Sequence, residues 1–201
     1  MREVISTVEL IPQRIPAVKL LVPKVHRDDR GFFTERWRLG VPGLPERWAQ
    51  DNHSRSQRGT LRGLHYQLSA HAQGKLVGVI RGQILDVAVD LRSGSPTFGQ
   101  HVTALLDDEA QHQLWVPPGF AHGFLVVSDV ADVLYKVDHP YNREAERGVR
   151  WDDASLGIDW TAGAPTSPLA GGSVQPLVSA KDAELPSLAD AEYDFEYPRD
   201  V

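Results

Sequence analysis

Two histidines stand in segments that are otherwise rich in glycine and apolar residues. His65 lies in GTLRGLHYQ, residues 59–67, and His122 lies in GFAHGF, residues 119–124. Both patterns are typical of a strand or of a strand followed by a turn, where an imidazole faces an enclosed pocket more often than bulk water. A neutral imidazole is the side chain best matched to proton transfer near pH 7. The two segments therefore indicate a proton-transfer site.

Other kinds of chemistry find less support in the residue types. The chain has no cysteine, which excludes disulfides, thiolate ligands and cysteine nucleophiles. A metal site on a β-strand often uses two histidines separated by one residue, but Gln67 stands where the second histidine would follow His65, so no metal is expected. The serine-hydrolase motif GxSxG and the phosphate-binding motifs GxxxxGK[ST] and GxGxxG are also missing from the sequence.

General acid–base chemistry remains, with Tyr135 as the second candidate group. It lies in the apolar run VLYKV, residues 133–137, from which its hydroxyl could point into a protein interior. A single tyrosine on such a strand more often serves core packing, and a single histidine beside glycine and leucine is more often structural. The residues alone leave these alternatives open.

Composition limits the class of protein. The chain has 201 residues, a hydrophobic content of 41% and a charged content of 24%, which is ordinary for one globular domain. We expect a single domain over 1–201, with a core at about 18–160 and a C-terminal appendage at 161–201. No apolar run reaches the ~20 residues that span a bilayer, and the first residues do not resemble a signal peptide. The expected location is therefore the cytoplasm, without membrane association.

The charge distribution limits the ligands. The formal net charge is −6 and the basic residues do not cluster along the sequence, which argues against nucleic-acid binding. A few arginines and lysines that converge in one cleft could still hold a small diphosphate.

Short runs of Val, Leu, Ile and Phe between Gly, Pro and Asp predict a mainly β fold, a β-sandwich or jelly-roll barrel with a C-terminal appendage. A short helix is predicted at 187–192, and residues 161–176 are predicted to form a loop. The predicted strands, apart from the hairpin discussed next, are 18–22, 31–37, 60–67, 100–106, 113–116, 123–127, 132–137 and 148–151.

The clearest predicted element is a β-hairpin over residues 75–91, with Arg81 and Gly82 as its two-residue turn. Its register pairs Lys75 with Ala88 and Val77 with Asp86. Alternation then places one set of side chains on an interior face, where the charges of Lys75 and Asp86 are costly unless they are paired or used. That set is Lys75, Val77, Val79, Ile84, Asp86, Ala88 and Asp90. The opposite face carries Leu85, Val87, Val89 and Leu91. A surface hairpin with a solvated lysine and aspartate is the alternative.

Eight segments of the chain resemble the dTDP-4-dehydrorhamnose 3,5-epimerase family, whose members are cupin-like jelly rolls with short peripheral helices. The resemblance covers most of residues 20–185. The matching segments are DDRGFFTE (28–35), QDNHSRS (50–56), GTLRGLHYQ (59–67), QGKLVGVIRGQILDVAVDLRSGSPTFG (73–99), LWVPPGFAHGF (114–124), LYK (134–136), WDDASLGIDW (151–160) and SAKD (179–182).

The resemblance implies a role for each matching residue. His65 corresponds to the general base, Tyr135 to the general acid and Asp182 to the carboxylate that orients the histidine. Lys75 corresponds to the group that stabilises the enolate oxygen. The implied substrate-binding residues are Arg30, Phe33, Glu35, Gln50, Asn52, Arg62, Asp86, His122, Glu146 and Lys181.

The resemblance also implies a reaction. A dTDP-4-keto-6-deoxyhexose would be epimerised at C3, at C5 or at both, through an enolate and without a cofactor or metal, by a homodimer that exchanges N-terminal strands. Pro140 stands where many family members carry an aromatic residue, so epimerisation at a single carbon is an open alternative. A non-catalytic nucleotide-sugar-binding jelly roll is another.

Overall fold

The computed structural model describes residues 8–161 and 176–198 of the chain. Almost all regular structure there is β-strand, and none of the helices in these two ranges is long and apolar enough to cross a membrane. The strands are β1 (Val8–Pro12), β2 (Lys19–Pro23), β3 (Val25–Asp28), β4 (Gly31–Thr34), β5 (Gln50–Gln57), β6 (Leu61–Gln67), β7 (Lys75–Arg81), β8 (Gln83–Asp90), β9 (His101–Asp107), β10 (Gln113–Val116), β11 (Phe120–Val126), β12 (Val130–Val137) and β13 (Glu146–Gly148). A 3₁₀ turn spans Ser69–His71 and the short helix α1 spans Ala180–Ala183.

Two antiparallel sheets form a sandwich, which confirms the predicted fold class. The six-stranded sheet has the order β1-β2-β10-β7-β12-β5, and the five-stranded sheet has the order β13-β6-β11-β8-β9. A separate two-stranded hairpin is made by β3 and β4. The inner faces of the two large sheets share one hydrophobic core, to which both sheets contribute fully buried valines and leucines.

The predicted pairing of the segments on either side of Gly82 is wrong. β7 pairs with β10 and β12 in one sheet, whereas β8 pairs with β11 and β9 in the other. Gly82, at φ +80°, turns the chain from one sheet into the other. Both strands are apolar on both faces, and a central position in separate sheets covers both faces of each strand.

The predicted faces of these strands nevertheless hold, because alternation along a strand does not depend on its partner. Val77 and Val79 of β7 meet Ile84 and Ala88 of β8 in the core between the sheets. The opposite face of β8 lies under the C-terminal part of the chain, and the aromatic rings of Trp160 and Phe195 belong to that second core. Each of the covered Leu and Val side chains contributes about 1.5–3 kcal/mol by leaving water.

Most of the remaining strand predictions agree with the structure to within a few residues, but β1, β3 and β5 have no predicted counterpart. β5, the edge strand QDNHSRSQ, has no apolar residue and was not predicted, but all eight of its residues pair with β12. The helix predicted at 187–192 is wrong, since that segment is a turn, and the helix lies earlier, at Ala180–Ala183, where the Ser179 side chain caps it. Most of the loop predicted at 161–176 lies outside the described residues.

Candidate active site

A cleft of about 460 Å³ opens between the inner faces of the two sheets. Strands of both sheets line it, together with the segment that leads into α1. Its lining residues are Thr60, Leu61, Arg62, His65, Lys75, His122, Gly123, Phe124, Tyr135, Leu177, Val178, Ser179, Lys181 and Asp182. The structure therefore brings together seven of the residues singled out from the sequence.

Glycines set the approach of the two histidine-bearing strands. A Cβ on Gly63 would lie 2.6 Å from the carbonyl oxygen of His122, and a Cβ on Gly123 would lie 2.6 Å from the carbonyl oxygen of Arg62. Gly63 also has φ +109°, a conformation that L side chains rarely adopt. The pairing of β6 with β11 shifts register just beyond His122. The glycines beside the two histidines are thus required for this close contact.

Asp182 holds the ring of His65. The His65 Nε2 atom lies 2.8 Å from Asp182 Oδ1, and the other carboxylate oxygen accepts the Gly63 N–H at 3.3 Å. Asp182 is only 4% exposed. Burial by itself would raise the pKa of Asp182, but the hydrogen bonds from His65 and Gly63 hold that pKa below its usual value. With the Nε2 proton directed at the carboxylate, Nδ1 of His65 is left free to accept a proton.

Tyr135 and Lys75 enter the cleft from the six-stranded sheet, on the neighbouring strands β12 and β7. Burial raises the pKa of Tyr135, against the opposing effect of Arg62, so its phenol stays protonated. Burial lowers the pKa of Lys75 to about 8, although Asp86 and Glu146 oppose that shift. The Lys75 Nζ donates a hydrogen bond to the carbonyl oxygen of His65 at 3.2 Å.

Asp86 does not line the cleft but lies beneath it. The carboxylate is fully buried, and its Oδ1 lies 2.7 Å from His122 Nε2. The resemblance implies a substrate contact for both residues, but only His122 borders the open space.

The charged groups at the rim already have hydrogen-bond partners within the chain. Arg62 donates from Nε to the Ser56 hydroxyl at 3.0 Å. Lys181 donates to Glu146, which also accepts the Tyr141 hydroxyl at 2.7 Å. Burial would raise the pKa of Glu146, but the hydrogen bonds from Lys181 and Tyr141 lower it below the usual range. A ligand that binds here can exchange these internal partners for its own charges.

Besides Asp86 and Glu146, five further implied substrate contacts do not line the cleft in this chain. Arg30 and Phe33 lie on the β3–β4 hairpin and line a separate depression, and Phe33 is 72% exposed. Glu35 forms an ion pair with Arg38, as the structure records. Gln50 donates to Asn52 at 2.6 Å on β5, and Asn52 is the strand partner of Tyr135.

Several residues of the site escaped the sequence reasoning. Tyr141 links the cleft rim to β5, since its backbone N–H donates to Gln50 at 3.2 Å while its hydroxyl reaches Glu146. Ser56 and Ser179 each support a charged residue of the cleft. Serine is common on protein surfaces, so the sequence does not mark these two residues. Their roles become visible only from the position of Ser56 on β5 and of Ser179 at the cap of α1. Within residues 8–161 and 176–198, no three His, Asp or Glu side chains are grouped so that they could hold a metal ion.

Comparisons with known proteins identify the family of the chain. A family profile described as dTDP-4-dehydrorhamnose 3,5-epimerase matches residues 12–190. The chain is 49% identical to the dTDP-4-dehydrorhamnose 3,5-epimerase of Pseudomonas aeruginosa, covering 89% of this chain and 94% of the relative. It is 45% identical to that of Shigella flexneri, covering 92% and 98%.

A solved structure is similar throughout its length. The dTDP-6-deoxy-D-glucose-3,5-epimerase of Legionella pneumophila, crystallised with dTDP-4-keto-L-rhamnose, superposes with a TM-score of 0.81 at 44% identity, covering 90% of this chain and 93% of the other. The chain is a β-sandwich with a histidine, a tyrosine and a lysine in one cleft. Together with these relatives, this defines the protein class as an epimerase, which is a kind of isomerase. The chain belongs to the dTDP-4-dehydrorhamnose 3,5-epimerase family.

Proposed function

We propose that this protein epimerises a dTDP-4-keto-6-deoxyhexose at C3 and C5, with His65 as the general base and Tyr135 as the general acid. The observation that carries the proposal is the placement of these two groups. His65 projects from the five-stranded sheet and Tyr135 from the six-stranded sheet, into the same cleft. A sugar ring bound between the sheets would meet the base on one face and the acid on the other.

The first step is removal of a hydrogen from a carbon next to the ketone. The ketone makes this C–H acidic, since the electron pair moves onto O4 to form an enolate. His65 accepts the proton at Nδ1, while its Nε2–H remains on Asp182 at 2.8 Å. The buried carboxylate stabilises the imidazolium that forms, the role known for the carboxylate of other His–Asp pairs.

The second step stabilises the enolate and returns a proton to the opposite face. Lys75, which lines the same cleft, would donate to the negative O4. Tyr135 then gives its proton to the carbon, which inverts the configuration. The tyrosinate regains a proton and the imidazolium releases one, so the enzyme is restored with no net proton change. The ketone is the electron sink, and the reaction needs no cofactor.

The nucleotide diphosphate supplies binding energy away from the reacting carbons. Arg62 and Lys181 line the cleft and offer cationic N–H donors to phosphate oxygens. Holding the diphosphate at the rim would keep the sugar ring in line with the two proton-transfer groups.

A homodimer accounts for the contacts that this chain does not bring into the cleft. The β3–β4 hairpin presents exposed Phe32 and Phe33 together with Arg30, and its exchange between subunits would bring these side chains to the partner's cleft. Light scattering should give twice the mass of 22.3 kDa. Phe33→Ala should weaken substrate binding more than turnover, and a monomeric protein with full activity would contradict the exchange.

The test is hydrogen exchange from heavy water. Incubation of the purified protein with the 4-keto sugar nucleotide in D₂O should place deuterium at both C3 and C5 of the sugar, read by NMR. Label at one carbon only would favour the single-site alternative that the proline at position 140 leaves open, and binding without label would favour a non-catalytic protein. His65→Ala should abolish the label while the fold survives, and chelator treatment should leave it unchanged.

A further inference from the structure

A second carboxylate–imidazole pair lies on the inner face of the five-stranded sheet. Asp86 on β8 and His122 on β11 are diagonal neighbours across two paired strands, since Asp86 is opposite Phe124 and His122 is opposite Ala88. Their Nε2 and Oδ1 atoms are 2.7 Å apart. The mechanism above uses the pair formed by His65 and Asp182 and gives no task to this one.

The exposure of Asp86 excludes it as a substrate contact. It is 0% exposed, and only His122 of the pair borders the cleft. Its Oδ2 atom is buried and has no hydrogen-bond partner in the described part of the chain. Burying a carboxylate with one unpaired oxygen is costly, so a compensating positive charge is expected close by.

The candidate for that charge is Lys75. It enters the same cleft from the opposite sheet. Burial lowers the pKa of Lys75, and the negative charges of Asp86 and, to a lesser extent, Glu146 oppose that shift by stabilising the ammonium form. The other charged or titratable groups that line or adjoin this space are His65 and Arg62 from β6, His122 from β11, Tyr135 from β12, Glu146 from β13, and Lys181 and Asp182 from α1.

We propose that Asp86 is a positioning residue that fixes the ring of His122 beside the cleft and holds Lys75 as the donor to the oxyanion of the substrate. This inference rests on the proposed function. Asp86 accepts the Nε2–H of His122 and thereby turns the Nδ1 edge of the ring toward the cleft. The same negative charge keeps the Lys75 ammonium protonated in a site where burial favours the neutral amine. The orientation of His122 and the charge of Lys75 therefore depend on one carboxylate that does not border the cleft.

The test replaces the charge and keeps the shape. Asp86→Asn retains an oxygen that can accept from His122 but removes the negative charge. Lys75 should then lose its proton about one pH unit lower than in the wild type, and kcat should fall about fivefold at about pH 8 while recovering most of the loss at about pH 6. KM should change little, because Asp86 does not contact the substrate.

The Lys75 titration can be read without activity. The rate at which Lys75 reacts with an amine-acylating reagent, followed by peptide mass spectrometry across pH, reports the fraction of neutral amine. This readout separates failure of the inference from failure of the proposed function, since it needs no turnover. An unshifted Lys75 titration in Asp86→Asn would overturn the inference even if kcat fell.

Two further variants make the outcome decisive. Asp132→Asn is the matched control, because Asp132 is also a buried carboxylate bonded to a histidine, His53 at 3.0 Å, but it does not line the cleft. It should leave kcat and the Lys75 titration unchanged.

His122→Gln removes the imidazole and keeps the Asp86 charge, so Lys75 should titrate no lower than in the wild type. If Asp86→Asn does not fold, a lowered Lys75 titration in His122→Gln would overturn the inference.

Discussion

His65 and His122 are direct cross-strand partners on β6 and β11. Partners on neighbouring strands share a face of the sheet, and both rings border the same cleft. Each ring is bonded through Nε2 to its own buried aspartate, at 2.8 Å for His65 and 2.7 Å for His122. The cleft therefore contains two oriented imidazoles side by side, and the glycines that flank them allow the two strands to come this close.

Replacement of Asp182 by asparagine should separate the orientation of the His65 ring from the electrostatic stabilisation of its protonated form. The amide can still bond to His65 but carries no charge to stabilise the imidazolium, so kcat should fall on the order of 10²- to 10⁴-fold. Steady-state kinetics at neutral pH measures this. Asp190→Asn, which alters a hydrogen bond with Ser187 remote from the cleft, is the control and should retain full activity. A fall of less than about threefold in Asp182→Asn would contradict the role.

The same pair predicts an acid-dependent stability. The folded-state pKa of Asp182 is held below the unfolded value, so its contribution is fully present above the unfolded pKa of about 3.9 and is lost as pH falls through the folded pKa. Below about pH 4 the wild type should therefore lose stability faster than Asp182→Asn, as measured by urea unfolding. Parallel stability curves for the two proteins would argue against the His65–Asp182 bond.

Tyr135→Phe removes one hydroxyl from the cleft. Because the acid acts on the enolate and not on the bound ketone, kcat should fall on the order of 10²- to 10⁴-fold while KM changes much less. Tyr66→Phe is the matched control, since the Tyr66 hydroxyl bonds to the Glu192 carbonyl outside the cleft. It should cost about 1 kcal/mol of stability and little activity. A raised KM at unchanged kcat in Tyr135→Phe would instead assign Tyr135 to substrate binding.

Lys75→Met should produce a more stable and inactive protein. Burial lowers the pKa of Lys75 from 10.5 to about 8, so at neutral pH the folded state bears the cost of a buried charge that the unfolded chain does not. Methionine fills similar space without that charge. Thermal melting should show a higher Tm for the variant at about pH 7.

The difference between these two proteins should shrink as pH rises. Between pH values of about 8 and about 10.5 the unfolded chain binds a proton that the folded wild type has lost, so wild-type stability rises with pH across this window. A Tm difference that is independent of pH would mean that the buried charge of Lys75 is not the source of the effect.

Gly63→Ala tests the close approach of β6 to β11. The added methyl would meet the His122 carbonyl oxygen and the Gly123 Cα at 2.6 and 2.7 Å, and φ is unfavourable for alanine. The expected loss is about 2–5 kcal/mol in the free energy of unfolding, with loss of activity as the histidines shift. Gly94→Ala is the control, because Gly94 also has a positive φ, +80°, but a Cβ added there would have no other atom within 4 Å. Equal losses in the two variants would show that strain alone, and not the strand contact, is responsible.

Much of the architecture follows from local patterns. The alternation of Val and Leu with other residues is sufficient to predict most strands and both faces of β7 and β8, because alternation is a property of one strand. β5 could not be found in this way, since QDNHSRSQ has no apolar periodicity and is a strand only because β12 supplies its hydrogen bonds. The partner of each strand depends on contacts between distant residues, so the predicted β7–β8 hairpin was wrong even though its faces were right.

The amino-acid sequence by itself determined the family, the strand-rich composition and the residue types at the site: two glycine-flanked histidines, a tyrosine in an apolar strand and a lysine on an interior face. The tertiary structure alone decided which sheet carries each group, and so from which side His65 and Tyr135 reach the cleft. It also separated Asp86, buried under His122, from residues that border the open space. The physical reason is that side-chain type and periodicity are local, whereas opposition across a cleft arises only when two sheets bury their apolar faces against each other.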